Sequence, residues 1–339
     1  MNGYERINAA LHGQWPDKRP VMLHNFMLAA RESGYSMKEY REDPEKAAKS
    51  HIRFVEKYKV DGILLDVDTA ILASAIGVPT VYPENEPALV KGALLSSLQQ
   101  VNTFEIPDIE KSFRVQYALE TLRILRNYFG REIYLRGNCD QAPFSLASMV
   151  RTPAEFMLDI ILDPENVIKL LNKCTEVSTR FIHLMAEAGA DMVSNGDSPA
   201  GPDMIAPELY RKFALPYERI MAETAHKHGL PYCIHICGNT DVILADLLRT
   251  QTDAVELDYK TDLSLIYKTF HNKITLFGNI DPSGVIANGT ADLVEKKARE
   301  ILEIYRDSPL LVMNAGCAIP PTTPSENIFR LIEVTRNFV

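Results

Sequence analysis

Eight short apolar runs, each ending in polar residues, punctuate the chain: Val21–Phe26, Gly62–Asp68, Ile133–Asp140, Asp191–Asp197, Tyr232–Gly238, Ala254–Tyr259, Thr275–Asp281 and Leu310–Cys317. Runs this rich in Val, Ile and Leu suit strands covered on both faces, as in a parallel sheet. Most are separated by stretches of helical periodicity, among them Glu45–Tyr58, Lys111–Tyr128, Pro164–Ala188, Pro207–Lys227, Asp241–Thr250, Asp292–Tyr305 and Ser325–Phe338. Strand–helix alternation repeated eight times predicts an α/β fold, a single (β/α)8 TIM barrel with an N-terminal helix. An open doubly wound sheet has the same alternation, but the chain has no G-x-G pair and no Walker-type glycine loop to mark a nucleotide site.

Helix ends carry their own signals. Thr152-Pro153-Ala154-Glu155 reads as a capping box with proline first, and Asp163-Pro164 and Ala206-Pro207-Glu208 repeat the proline-first start. Gly189 and Gly229 mark helix stops. The proline-studded stretch from Val78 to Ile109, and residues 27–44, read as loop excursions over the barrel mouth. A length of 339 residues allows two domains at about 150 residues each. No composition shift divides the chain, so one domain is expected over 1–339.

A net charge of −9 argues against a nucleic-acid-binding surface. Five cysteines are too few and odd in number for a disulfide framework, which points to a reducing compartment. The N-terminus lacks an apolar signal core. The longest uncharged run, Ser308 to Ser325, holds four prolines and cannot form a spanning helix. A cytoplasmic protein without membrane or nucleic-acid partners is expected.

In such a barrel the active site lies at the C-terminal strand ends. Those ends carry His24 and Asn25, Asp66 and Asp68, Asn138 and Asp140, Asn195 and Asp197, His235 and Cys237, Glu256 and Asp258, Asn279 and Asp281, and Asn314 and Cys317. Some of these simply cap the next helix, Asp281 before Pro282 first among them. His235-Ile236-Cys237 is the sharpest signal, because strand side chains alternate and both residues face one side. An imidazole and a thiol so placed form half of a zinc site, and Cys317 offers a third soft ligand. The same Cys237 also suits a role as a small buried apolar residue. Cys233 and Cys174 read as core.

These residues are embedded in a wider likeness. The chain resembles the uroporphyrinogen decarboxylase superfamily through Glu5-Arg6-Ile7-Asn8-Ala9-Ala10-Leu11-His12-Gly13, Pro16–Val21, Ala142–Ser148, Gly278-Asn279-Ile280-Asp281-Pro282 and Asn314-Ala315-Gly316-Cys317. The resemblance implies a TIM barrel and one of two chemistries: cofactor-free porphyrinogen decarboxylation, or zinc-dependent methyl transfer to or from corrinoids. The decarboxylase pattern keeps its aspartate as Asp68. It loses the first arginine of its R-Q-A-G-R-Y motif, its tyrosine falls on Met149 and its histidine on Cys317. The methyltransferase pattern is met by His235, Cys237 and Cys317, with Glu256 as an exchangeable fourth ligand.

The resemblance therefore implies Zn2+ held by His235, Cys237, Cys317 and Glu256, with Glu256 and Asp68 as catalytic residues. His24, Asp140, Asn195, Asp197 and Asn279 are the expected substrate contacts, and Arg136 or Lys260 the cations available to an anionic substrate. A corrinoid (methylcobalamin) would be presented by a separate corrinoid-binding protein, since no D-x-H-x-x-G tract occurs. A porphyrinogen decarboxylase and a metal-free, non-catalytic relative are the alternatives.

Overall fold

The computed structural model describes residues 1–338; Val339, the last residue of the expected domain, lies outside them. The eight apolar runs form eight strands: β1 (Met22–Leu23), β2 (Gly62–Leu65), β3 (Tyr134–Gln141), β4 (Met192–Gly196), β5 (Tyr232–Ile236), β6 (Ala254–Leu257), β7 (Thr275–Ile280) and β8 (Leu311–Ala315). They pair in parallel in chain order. A parallel bridge between Val21 and Met313 closes the sheet on itself. This is the expected barrel. No described helix is long and apolar enough to cross a membrane.

Helix α1 (Gly3–Leu11) explains why the barrel has a floor. Asn2 and Glu5 cap its first turn reciprocally. Its Ile7 and Ala10 then pack against Met22, Leu64, Tyr134, Met192, Cys233, Ala254, Phe277 and Val312. Each of those eight belongs to a different strand. Burial of one apolar side chain per strand makes a closed layer, and Cys233 is part of it, as expected for core.

The helices differ from the sequence reading where local chemistry intervenes. Pro207–Lys227 is not one helix but two, Pro207–Phe213 and Leu215–Lys227. Pro216 has no N–H for the turn before it, and its ring crowds the preceding carbonyls. Asp241–Thr250 is broken into three short turns, Asp241–Ile243, Leu244–Leu247 and Leu248–Thr250. The capping box at Thr152 does not form, because Thr152 takes φ +78° and its side chain makes no cap hydrogen bond. Asp163 does cap the long helix Pro164–Glu187, accepting from the Asn166 N–H.

Both excursions lie where expected and carry structure of their own. Residues 27–44 contribute the helices Phe26–Glu32 and Met37–Glu42, and Val78–Ile109 contains an antiparallel pair, Thr80–Val81 with Leu89–Val90.

Candidate functional site

Counting two residues up each strand from the apolar floor reaches His24, Asp66, Arg136, Ser194, His235, Glu256, Asn279 and Asn314. Side chains recur on the same face with period two, so a layer of polar groups stands directly on the apolar one. Most of them bond to one another. Glu256 lies at the centre, fully buried. Its Oε2 accepts from Arg136 Nη1 at 2.5 Å and its Oε1 faces His24 Nδ1 at 2.9 Å. His24 Nε2 in turn meets Asp66 Oδ2 at 2.8 Å, and Arg136 Nε donates to Ser194 Oγ at 2.9 Å.

Burial opposes charge on His24, but the Glu256 and Asp66 carboxylates outweigh it and push its pKa up to about 10. Burial likewise opposes ionisation of Glu256, yet Arg136 and then His24 hold it well below the ordinary carboxylate range.

His235 lies near the end of β5 and Cys237 just beyond it, and the loop after β8 brings in Cys317. Cys237 Sγ lies 3.1 Å from His235 Nε2 and 3.4 Å from Cys317 Sγ, and Cys317 Sγ lies 3.9 Å from the same nitrogen. Cys317 reaches this position because Gly316 precedes it. A Cβ at Gly316 would stand 2.8 Å from the Tyr259 backbone nitrogen and 3.0 Å from the Leu257 carbonyl oxygen. The Cys237 N–H donates to Ser198 Oγ at 3.0 Å, which fixes the other thiol's backbone.

The donor set suits zinc. His235 Nδ1 lies 3.0 Å from the Glu256 carbonyl oxygen, which can only accept. In the neutral ring the proton is therefore on Nδ1, and Nε2 turns its lone pair towards the sulfurs. A tetrahedral zinc with bonds of about 2.0 Å to nitrogen and 2.3 Å to sulfur has ligand–ligand edges of roughly 3.5–3.8 Å. The three observed separations bracket that range. The thiols also polarise each other: Cys237 is drawn down by the hydrogen bond from Cys317, against burial and with help from His235. The same bond, and then burial, pushes Cys317 up.

A cavity of about 210 Å3 opens beside these groups, and His24, Asp66, Arg136, Asp140, His235, Cys237, Glu256 and Cys317 all line it. Of the expected site residues, the structure thus gathers His24, Asp140, His235, Cys237, Cys317 and Glu256. Glu256 does not join the three-residue donor cluster, because Arg136 and His24 occupy its oxygens.

Four other expectations are corrected. Asp68 turns away from the cavity: Oδ2 pairs with Arg41 at 2.9 Å, and Oδ1 accepts from the Thr69 and Ala88 N–H groups. It ties the second excursion to the barrel instead of facing substrate. Asn195 and Asp197 have the wrong parity. Asn195 pairs in register with Ile234, on the outer face, where it donates to the Cys139 carbonyl and accepts from Tyr232. Asp197 accepts from the Ser145 N–H and hydroxyl. Asn279 opens on a separate cavity with Lys260, so neither reaches the thiols' cavity.

Asp140 lines the cavity beside the thiols at φ +58°, its Oδ2 accepting from the Leu72 N–H at 2.7 Å. Burial is the chief cause that pushes its pKa up to about 7. An unfolded aspartate titrates near 3.9. Between about pH 4 and 7 the folded state binds this proton and the unfolded chain does not, so Asp140 removes stability as pH rises through that window. Asp140→Asn, which keeps an acceptor for Leu72, is expected to gain stability over the natural chain at pH 8 relative to pH 4. Urea midpoints at the two pH values check this, and equal differences at both would refute it.

Asp66 was named at its strand end but not among the expected substrate contacts, and Ser198 was not named at all. Asp66 was recoverable by counting two from Leu64, whereas nothing near Ser198 signalled its bond to Cys237.

The uroporphyrinogen decarboxylase (URO-D) family matches residues 2–338. The methylcobamide:CoM methyltransferase MtbA of Methanosarcina mazei is 27% identical, with 98% of this chain and 97% of that protein covered. The uroporphyrinogen decarboxylase of Syntrophotalea carbinolica is 28% identical over 97% and 96% of the two chains. A solved methyltransferase from Methanosarcina mazei superposes with a TM-score of 0.90 at 25% identity, covering 99% of this chain and 98% of that one. Overall identity does not separate the two activities.

Proposed function

Because the chain belongs to the uroporphyrinogen decarboxylase family, whose members divide between two chemistries, its site must choose, and we propose that it is a zinc-dependent methyltransferase. It would move a methyl group between a corrinoid and a small thiol or methyl donor. The observation that carries this reading is the convergence of His235, Cys237 and Cys317 within 4.8 Å of one another. Two thiols and an imidazole make a soft, open donor set, and have no use in cofactor-free decarboxylation.

Held by these three residues, Zn2+ would supply acidity, making a bound thiol nucleophilic at neutral pH or polarising a bound methyl donor. Glu256 is assigned to the fourth, exchangeable position. An exchangeable carboxylate needs a place to rest when displaced, and Arg136 and His24 provide one. The Glu256 carbonyl meanwhile holds the His235 ring in orientation. In the thiol direction a corrinoid would supply the methyl group, His235, Cys237 and Cys317 would hold the zinc that makes the acceptor sulfur nucleophilic, and the thiol proton would pass to solvent.

The cavity's size supports the same reading. About 210 Å3 lies below the roughly 300–1,000 Å3 of pockets for drug-sized ligands, so it suits a small acceptor and not a tetrapyrrole. The corrinoid would approach from outside, on a separate corrinoid-binding protein at the barrel mouth, in the reducing cytoplasm that keeps the thiols free.

Methylcobalamin offered with small thiols to the zinc-loaded protein tests the reading. Loss of the methyl–cobalt absorption is expected, abolished by a chelator and restored by zinc. No transfer in either direction with any thiol or methyl donor, or metal-independent turnover of a porphyrinogen, would overturn it.

A further inference from the structure

We propose that Asp66 selects the small substrate, and that the cavity takes a short molecule with an ammonium head, an aminothiol or its S-methyl ether. This rests on the methyltransferase reading and names the substrate class of that site. Asp66 is 3% exposed and lines the cavity. Its Oδ2 accepts from His24, while Oδ1 is buried without a hydrogen-bond partner among the described residues. A buried carboxylate oxygen left unpaired is costly, and a donor brought by the ligand removes that cost.

The rest of the wall offers an anion little. Arg136 is the one lysine or arginine among the described residues lining the cavity, and Glu256 neutralises it at 2.5 Å. Both ring nitrogens of His24 are committed to carboxylates. Asp140 adds a further carboxyl group, and Lys260 lies on a different cavity. The two cations of the wall, Arg136 and the charged His24, are already held by carboxylates, so a sulfonate or carboxylate would find no free cation among the described residues, whereas an ammonium would complete Asp66. Like charges brought together without compensation are strongly disfavoured, and this is how a pocket excludes the wrong ligand.

Three thiols of equal length make the test: 2-aminoethanethiol, 2-mercaptoethanol and 2-mercaptoethanesulfonate, with their S-methyl ethers for equilibrium binding. Calorimetry on the zinc-loaded protein is expected to show the S-methyl amine binding at least about 10-fold tighter than the S-methyl sulfonate, a modest share of a like-charge penalty. Asp66→Asn should bring the two close to equal while zinc content stays unchanged. The proposal is overturned if the sulfonate binds as tightly as the amine to the natural protein. It is equally overturned if a folded Asp66→Asn protein keeps the full preference.

The comparison on the natural protein stands alone should the variant not fold. Ammonium preference without methyl transfer would remove the methyltransferase reading and leave the selectivity. Methyl transfer favouring the sulfonate would do the reverse.

Discussion

Replacing Cys317 with alanine is expected to take bound zinc from about one equivalent to less than about a tenth, with methyl transfer falling to background. Loss of a ligand should exceed the roughly 10–100-fold in affinity that follows loss of a mere outer-shell partner. It would leave only His235 and Cys237 as fixed ligands, with the exchangeable Glu256 and water to complete the site. The control is Cys233→Ala, because Cys233 belongs to the apolar floor and is separated from the donors by a full pleat. That variant should keep its zinc and lose only packing energy. Elemental analysis of dialysed protein decides the matter. Full zinc retention by the Cys317 variant, or a natural protein that takes up none when supplied, would end the metal assignment.

The largest effect on stability is expected at Glu256. Alanine there leaves the Arg136 guanidinium and the His24 ring beneath the cavity without their common partner. Breaking a buried ion pair from one side costs about 3–5 kcal/mol, because the remaining charge has no water to turn to. Adding Arg136→Met should return part of that loss, since it removes the buried guanidinium left without a partner. Urea unfolding of the two single variants and the double variant measures the coupling. Additive effects would show that the two side chains do not support each other. The folded Glu256→Ala protein should still hold zinc on its remaining three ligands but bind thiols differently. Complete metal loss would instead make Glu256 obligatory.

Much of this was legible in the chain before any coordinates. The strands were, because a β/α barrel buries both faces of each strand and writes them as continuous apolar runs. Even β1, only Met22–Leu23 in the sheet, was marked by its apolar run. His-x-Cys was legible because its two members sit two residues apart at the end of one strand. Glu256 was legible only as a polar strand end that the family resemblance made a ligand; that it pairs in register with His235 on the next strand is what the structure adds. The polar residues between were harder. His24 meets Glu256 across 232 residues of sequence, and Arg136 meets it across 120, so no local pattern announces either contact.

Asn195 and Asp197 were misjudged because position at a strand end was read without parity. The apolar floor supplies the missing reference: once one inward residue per strand is known, the inward and outward sets follow by counting in twos. The excursions were seen as loops, but their anchoring through Arg41 and Asp68 joins segments with no shared motif.

The floor made by α1 has a kinetic meaning as well. A barrel sealed at one end has a single doorway, and whatever arrives second stands in front of whatever arrived first. If, as proposed, a small substrate lodges against the thiols and a corrinoid carrier presses over the mouth, traffic would become a queue. The small molecule would have to enter before the carrier docks, and its product would wait for the carrier to leave. Order of arrival would then come from the architecture of the barrel, without any moving part.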